Sequence, residues 1–212
     1  MDILLVAATE AEISPLLDTG FIVGDNYRNR HRITILITGV GMVATAYAMG
    51  KQLATATYQL AINPGIAGSF NRSLALGDIV QVEQDVFAEL GAEDGEQFIP
   101  IDALGFGTAV QYPIKGSPET GLPLAKAITV NKVHGHIPTI KKTMQQYNPD
   151  IESMEGAAFF YACAQNNVPC VQVRAISNVV EQRDRDNWNI PLAIKKLNEF
   201  VSTYLDQLTG NP

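Results

Sequence analysis

Apolar runs of strand length recur along the chain, and most lead into a segment whose apolar positions repeat at helical spacing. Residues 2–8 (DILLVAA) form the first run, and residues 10–17 then place Ile13, Leu16 and Leu17 on one face of a short helix. Residues 21–27 and 31–38 predict paired strands across the polar turn Arg28-Asn29-Arg30, and Gly39-Val40-Gly41 opens an Ala-rich helix over 42–57. The run at 59–63 ends in Pro64-Gly65-Ile66-Ala67-Gly68, which reads as a tight glycine-punctuated loop, and 76–82 predicts a further strand. Residues 89–123, broken by glycines and prolines, read as a long excursion or lid. Beyond them come a strand at 125–131, helices at 137–147 and 154–167, and a strand at 168–176. The last element is an amphipathic helix at 190–208 with Ile194, Leu197, Val201, Leu205 and Leu208 on one side. The alternation predicts a single α/β domain over 1–212, a three-layer sandwich around a mixed central sheet.

Open α/β sheets bind ligands outside the C-terminal ends of their strands. Four segments qualify: Thr9-Glu10-Ala11-Glu12, Gly39-Val40-Gly41, the glycine loop at 64–68, and Ser177-Asn178.

Composition narrows the partners. Lys and Arg total 15 against 22 Asp and Glu, a net charge of −7, which repels a phosphate backbone and argues against nucleic acid. With 46% hydrophobic and 17% charged residues the chain can build a core. Its apolar segments are shorter than the roughly 20 residues that span a bilayer, so no membrane partner is expected. Asp2 stands where a secretory signal would be basic, and Cys163 and Cys170 are too few for a disulfide framework. A cytoplasmic protein is expected, with both cysteines in the core.

Five features carry candidate chemistry. Gly39-Val40-Gly41-Met42-Val43-Ala44 matches a dinucleotide fingerprint, but the next strand ends Ala61-Ile62-Asn63-Pro64 and lacks the acid that holds the ribose. Close βα packing explains the glycines equally well. Glu12 follows the first strand, either as a solvated first-turn acid that favours the helix dipole or as a general base with a raised pKa. Glu155 opens a helix of small and apolar residues, where a carboxylate either caps the helix or offers two acceptors to a vicinal diol. His134 and His136 lack a third ligand at zinc spacing. Trp188 stands beside Arg183 and Arg185 in a run that reads as solvated surface or as an opening for an aromatic acid.

Asn63-Pro64-Gly65-Ile66-Ala67-Gly68, Leu76-Gly77-Asp78-Ile79-Val80, Ser153-Met154-Glu155-Gly156-Ala157-Ala158 and Val173-Arg174-Ala175-Ile176-Ser177-Asn178 follow one another in a familiar order. In this the chain resembles the purine nucleoside phosphorylase and nucleosidase superfamily from its first strand to its last helix. Ala92-Glu93-Asp94-Gly95, Ser153 to Phe160, and Ser177-Asn178 through Arg183-Asp184-Arg185 to Trp188-Asn189-Ile190-Pro191 are most similar to its futalosine-hydrolysing branch. The resemblance implies a nucleoside phosphorylase-like fold, release of hypoxanthine from futalosine in menaquinone formation, no cofactor and no metal. It implies that Glu12 activates water, that Glu155 accepts from the ribose hydroxyls, and that Met154 packs on the sugar. Gly65, Ile66, Ala67, Ser153 and Ser177 would line the nucleoside site, and a homo-oligomer would complete it.

Two departures refine the substrate. Asn178 stands where adenine-cleaving relatives carry aspartate, and two amide donors would suit N7 and O6 of hypoxanthine. Ile66 stands where many relatives have a hydroxyl residue, which disfavours phosphate and favours water as nucleophile. Arg183 or Arg185, with Trp188, is the expected partner of the substrate carboxylate. A purine nucleoside phosphorylase, a methylthioadenosine-type nucleosidase and a noncatalytic nucleoside-binding domain remain alternatives, with a dinucleotide oxidoreductase more distant.

Overall fold

The structure is a computed structural model that describes residues 1–208. Strand β1 (Asp2–Ala7) leads through a 3-10 turn at Glu10–Ile13 into α1 (Ser14–Leu17), then a hairpin of β2 (Gly24–Arg28) and β3 (His31–Ile37), and α2 (Met42–Leu53). Asn29 and Arg30 both take positive φ at the hairpin tip, the geometry that matches the twist of paired strands. Next come β4 (Leu60–Ser69), β5 (Ile79–Phe87), a small hairpin of β6 (Gly91–Asp94) and β7 (Gln97–Pro100), α3 (Ile101–Leu104) and β8 (Val110–Gln111). The chain closes with β9 (Leu124–Thr129), α4 (Ile137–Tyr147), β10 (Ile151–Ser153), α5 (Gly156–Gln165), β11 (Cys170–Val179) and α6 (Ile190–Gln207).

The central sheet runs β10-β9-β5-β11-β4-β1-β3-β2, with β8 attached to β5. β1 pairs in parallel with β3 and β4, while β2–β3 and β11–β5 are antiparallel, so the sheet is mixed as expected. β10 also pairs antiparallel with the end of β4, Glu152 opposite Gly68, which closes β4, β11, β5, β9 and β10 into a ring. Asp150 staples that closure: its carboxylate accepts from Lys126 N and Asn71 Nδ2, each at 2.9 Å.

Both sheet faces are covered, which is why the strands read as unbroken apolar runs rather than as alternation. Leu4, Val6 and Val82 pack against Met49 of α2 and Phe159, Phe160 and Cys163 of α5. Ile3, Leu5, Ile62, Val171 and Val173 pack on the other face against Leu16 of α1 and Leu197, Val201 and Leu205 of α6. Cys163 and Cys170 are buried and free.

Two segments read as loops are strand. Residues 64–68, with Gly65, Ile66 and Ala67, lie inside β4 and pair with Val173–Asn178 of β11. Ala61 N donates toward β11 and Ile66 N away from it, so the donor missing at Pro64 falls on the β1 side. There Asn63 Nδ2 serves Val6 O instead, at 2.7 Å. Ser177 and Asn178 also stay within β11, past a bulge between Ile176 and Asn178 that re-aims the strand end. The excursion at 89–123 carries the β6–β7 hairpin, α3 and β8, and β10 precedes a helix that starts at Gly156 rather than at 154.

Candidate active site

The C-terminal ends of β1, β4, β10 and β11 open onto one cleft of about 320 Å³. It is lined by Glu12, Ile66, Ala67, Ser153, Met154, Glu155, Ser177, Asn178, Arg183 and Trp188 from the sequence reading. Arg185 does not line it; its exposed guanidinium lies 5.9 Å from the Trp188 ring centroid, while that of Arg183 lies over the same ring at 5.1 Å. Gly65, expected to line the site, does not: it is buried, and its neighbours are Arg174 and Glu12.

Glu12 is held by a capping box. Thr9 Oγ1 accepts from Glu12 N, and Glu12 Oε2 accepts from Thr9 N at 3.1 Å, which fixes the 3-10 turn that carries it. Its Oε1 accepts from Ile66 N of β4 at 3.2 Å. Burial pushes its carboxyl above the ordinary value; the Arg174 cation pulls back, and the Glu155 charge adds to the rise. These are the conditions of a general base and not of a solvated first-turn acid.

Glu155 does not cap α5. Its Oε1 accepts from Gly41 N at 2.9 Å and its Oε2 from Met154 N at 3.2 Å. The turn Gly39-Val40-Gly41 is therefore a carboxylate anchor, with Gly41 at φ +96 aiming its N–H at Glu155. Gly39, at φ +84, lies where a Cβ would touch Ala44 Cβ at 3.4 Å, the close packing that leaves a fingerprint-like spacing. The start of α5 is satisfied by Thr129 Oγ1, which accepts from Ala157 N at 2.8 Å, and by Ser153 Oγ, which accepts from Gly156 N at 3.4 Å.

Asn178 departs from expectation in one respect. Ser177 Oγ donates to its Oδ1 at 2.9 Å, and its Nδ2 donates to Val179 O at 3.1 Å, so one amide N–H rather than two is left for a ligand.

Three groups escaped the sequence reading. Arg174, 1% exposed, stands in the middle of β11 and donates to Asn63 O and Oδ1 at 3.3 and 2.5 Å. Its pKa is lowered by burial, against which Glu155, Glu12 and Asp85 act in its favour. The signal was a lone charge inside the apolar run Val168 to Ile176. Asp85, fully buried, accepts from Thr129 Oγ1 at 2.8 Å, and burial pushes its carboxyl up to about 7. His134 and Glu152 both line the cleft: Glu152 accepts from His134 N at 2.9 Å and meets His134 Nδ1 at 2.5 Å, while His134 Nε2 meets Thr143 Oγ1 at 2.9 Å. His136 faces Thr139 instead, so the two histidines do not converge.

Residues 4–206 match the model of the Phosphorylase superfamily. The chain is 34% identical over 185 residues to the futalosine hydrolase of Acidothermus cellulolyticus, covering 81% of this chain and 75% of that one. It is 32% identical over 150 residues to the futalosine hydrolase of Streptomyces coelicolor, covering 68% of this chain and 64% of the relative's length. The solved structure of the futalosine hydrolase of Helicobacter pylori superposes with a TM-score of 0.82 over 98% of each chain at 16% identity, a likeness of fold.

Proposed function

The chain belongs to the Phosphorylase superfamily, and on that premise we propose that it hydrolyses the N-glycosidic bond of futalosine to hypoxanthine and dehypoxanthine futalosine. The observation that carries this reading is the placement of Glu12: a carboxylate with a raised pKa, held by Thr9 and Ile66, at the same cleft as Glu155 and Asn178.

Glu12 takes a proton from water as the oxygen attacks the anomeric carbon. The bond from that carbon to the purine nitrogen breaks, and its electron pair leaves with the base. Positive charge develops on the sugar, and the carboxylates of Glu12 and Glu155 stabilise it. Glu155, fixed by Gly41 N and Met154 N, keeps lone pairs for the ribose hydroxyls. The free N–H of Asn178 supports the departing base at N7 or O6, and the base takes its proton from solvent.

Water is the nucleophile because the wall beside Glu12 is Ile66, which offers phosphate no side-chain donor, and because Arg174 is buried behind that wall. Arg183 and Trp188, at the cleft edge, receive the carboxyphenyl end of futalosine. A methylthioadenosine-type nucleosidase is the second reading, and the asparagine at 178 argues against it.

In our reading the reaction serves menaquinone formation in the cytoplasm, and the chain works as a homo-oligomer. Among the described residues no helix is long and apolar enough to cross a membrane. Support for a partner copy comes from α2 and α5, where Val43, 77% exposed, shares an apolar groove with Tyr161, and Tyr47 of α2 is 73% exposed. Hypoxanthine release from futalosine in phosphate-free buffer tests the function, and Glu12→Gln is expected to lower kcat by about 10²–10⁴-fold, the usual share of a general base.

A further inference from the structure

Helix α5 begins at Gly156, and Glu155 is its N-cap residue. An N-cap side chain ordinarily accepts from the backbone N–H two or three residues further on. Glu155 makes no such bond. Its carboxylate is turned away to Gly41 N and Met154 N, and the N–H two residues on, that of Ala157, goes to Thr129 Oγ1 at 2.8 Å. The cap of α5 has passed from its own N-cap residue to the last residue of β9.

Thr129 is fixed in that role from behind. A threonine hydroxyl has one proton, and with Ala157 N–H on one of its lone pairs that proton is given to Asp85 Oδ1 at 2.8 Å. Asp85 stands two residues before Phe87, the register partner of Thr129, so it leaves the sheet on the same face. Both Thr129 and Asp85 are fully buried, where water does not compete for these bonds. Gly156 adds a second contact: a Cβ there would overlap Asp85 Oδ2 and Gln172 Oε1, so the first turn of α5 sits directly on the Asp85 carboxyl. The reaction proposed above uses neither Thr129 nor Asp85.

We propose that Thr129, held by Asp85, is a positioning residue that takes over the capping of α5 and so leaves the Glu155 carboxylate free for the ribose hydroxyls. The proposal rests on the reading of Glu155 as the ribose ligand and names what keeps it there. Without the Thr129 hydroxyl, Ala157 N–H is a buried donor with no partner, and the acceptor two residues before it is the carboxylate of Glu155. Glu155 then turns back onto its own helix and leaves the sugar.

Thr129→Val, which keeps the shape and removes the hydroxyl, tests this against Thr129→Ser, which keeps the hydroxyl. Thr129→Val is expected to lower kcat/KM by about tenfold or more on the ribonucleoside and by less than about threefold on its 2′-deoxy counterpart, whereas Thr129→Ser stays within about twofold on both. Equal losses on the two substrates, or no loss, overturn the proposal. The crystal structure of Thr129→Val gives a readout apart from turnover: the Glu155 carboxylate is expected on Ala157 N and off Gly41 N, and a carboxylate still on Gly41 N overturns the proposal. Hydrogen exchange on the wild type guards against a variant that does not fold. If the seating of α5 holds Glu155, Gly41 N–H opens only when Ala157 N–H does, and the protection of the two amides agrees within about tenfold. A Gly41 amide less protected than that overturns the proposal equally. A Thr129→Val structure with Glu155 on Ala157 N, from a chain that cleaves no nucleoside, keeps this proposal and loses the hydrolase reading.

Discussion

Arg174 and Glu12 meet across Gly65: a Cβ added there would collide with Arg174 Nη1 and come within 3.2 Å of Glu12 Oε1. The buried guanidinium is the counter-charge that opposes the rise in the Glu12 pKa caused by burial. Glu12 works as a base only when ionised, so kcat/KM falls as pH drops through its raised pKa. Arg174→Gln removes the opposing cation and is expected to move that acid limb to higher pH. The pH–rate profile of the folded variant checks it, and an unmoved midpoint separates Arg174 from the charge state of Glu12.

Glu155 is expected to act through the ribose hydroxyls. Glu155→Ala should lower kcat/KM on the ribonucleoside by about 10²-fold, in the range of a lost charge-assisted pair of hydrogen bonds. With the 2′-deoxy counterpart much of that loss should vanish, because one of the two hydroxyl donors is already missing. Equal losses on both substrates would place Glu155 in the helix and not on the sugar.

Asp85 gives the fold a pH dependence of known sign. An unfolded aspartate ionises near 3.8 while the folded one holds its proton to about 7. Between those values the folded chain binds the extra proton, so its stability contribution is full below the lower value and is lost as pH rises through the upper one. Asp85→Asn cannot ionise. Its melting temperature relative to wild type is expected to rise from pH 4.5 to pH 7.5 and to level off above, as thermal unfolding in matched buffers would show.

Much of this was legible because strand ends gather chemistry. Glu12, Glu155 and Asn178 each sit within a few residues of an apolar run, which brought them into view, while the roles expected of them came from the resemblance and not from that position. The glycine segment misled because Pro64, Gly65 and Gly68 are turn residues by composition. In the fold Pro64 faces a side where Asn63 stands in for its missing donor, Gly65 makes room for Arg174, and Gly68 makes room for Asn178. Arg174 was visible as a charge in an apolar strand, but its partners come from β4 and the first 3-10 turn, which no local window joins. Glu152 and His134 are eighteen residues apart, in a stretch where β10 is only three residues long and lacks a strand signature.

Arg183 and Arg185 divide cleanly. Arg183 lines the cleft and stacks on Trp188, whereas Arg185 stands outside it. Arg183→Ala is expected to raise KM for futalosine about tenfold, the scale of one charge-assisted contact at a solvent-exposed edge. Arg185→Ala should leave it within twofold. Initial-rate kinetics on both variants decide this, and a KM unchanged by Arg183→Ala would place the carboxylate elsewhere.

The central claim is that Glu12 directs water, and no other nucleophile, at the anomeric carbon of futalosine. Hypoxanthine release measured with and without inorganic phosphate tests it most directly. The account expects equal rates in both buffers, a free reducing sugar in the product, and loss of that rate in Glu12→Gln. Release that requires phosphate and leaves a sugar phosphate would contradict it.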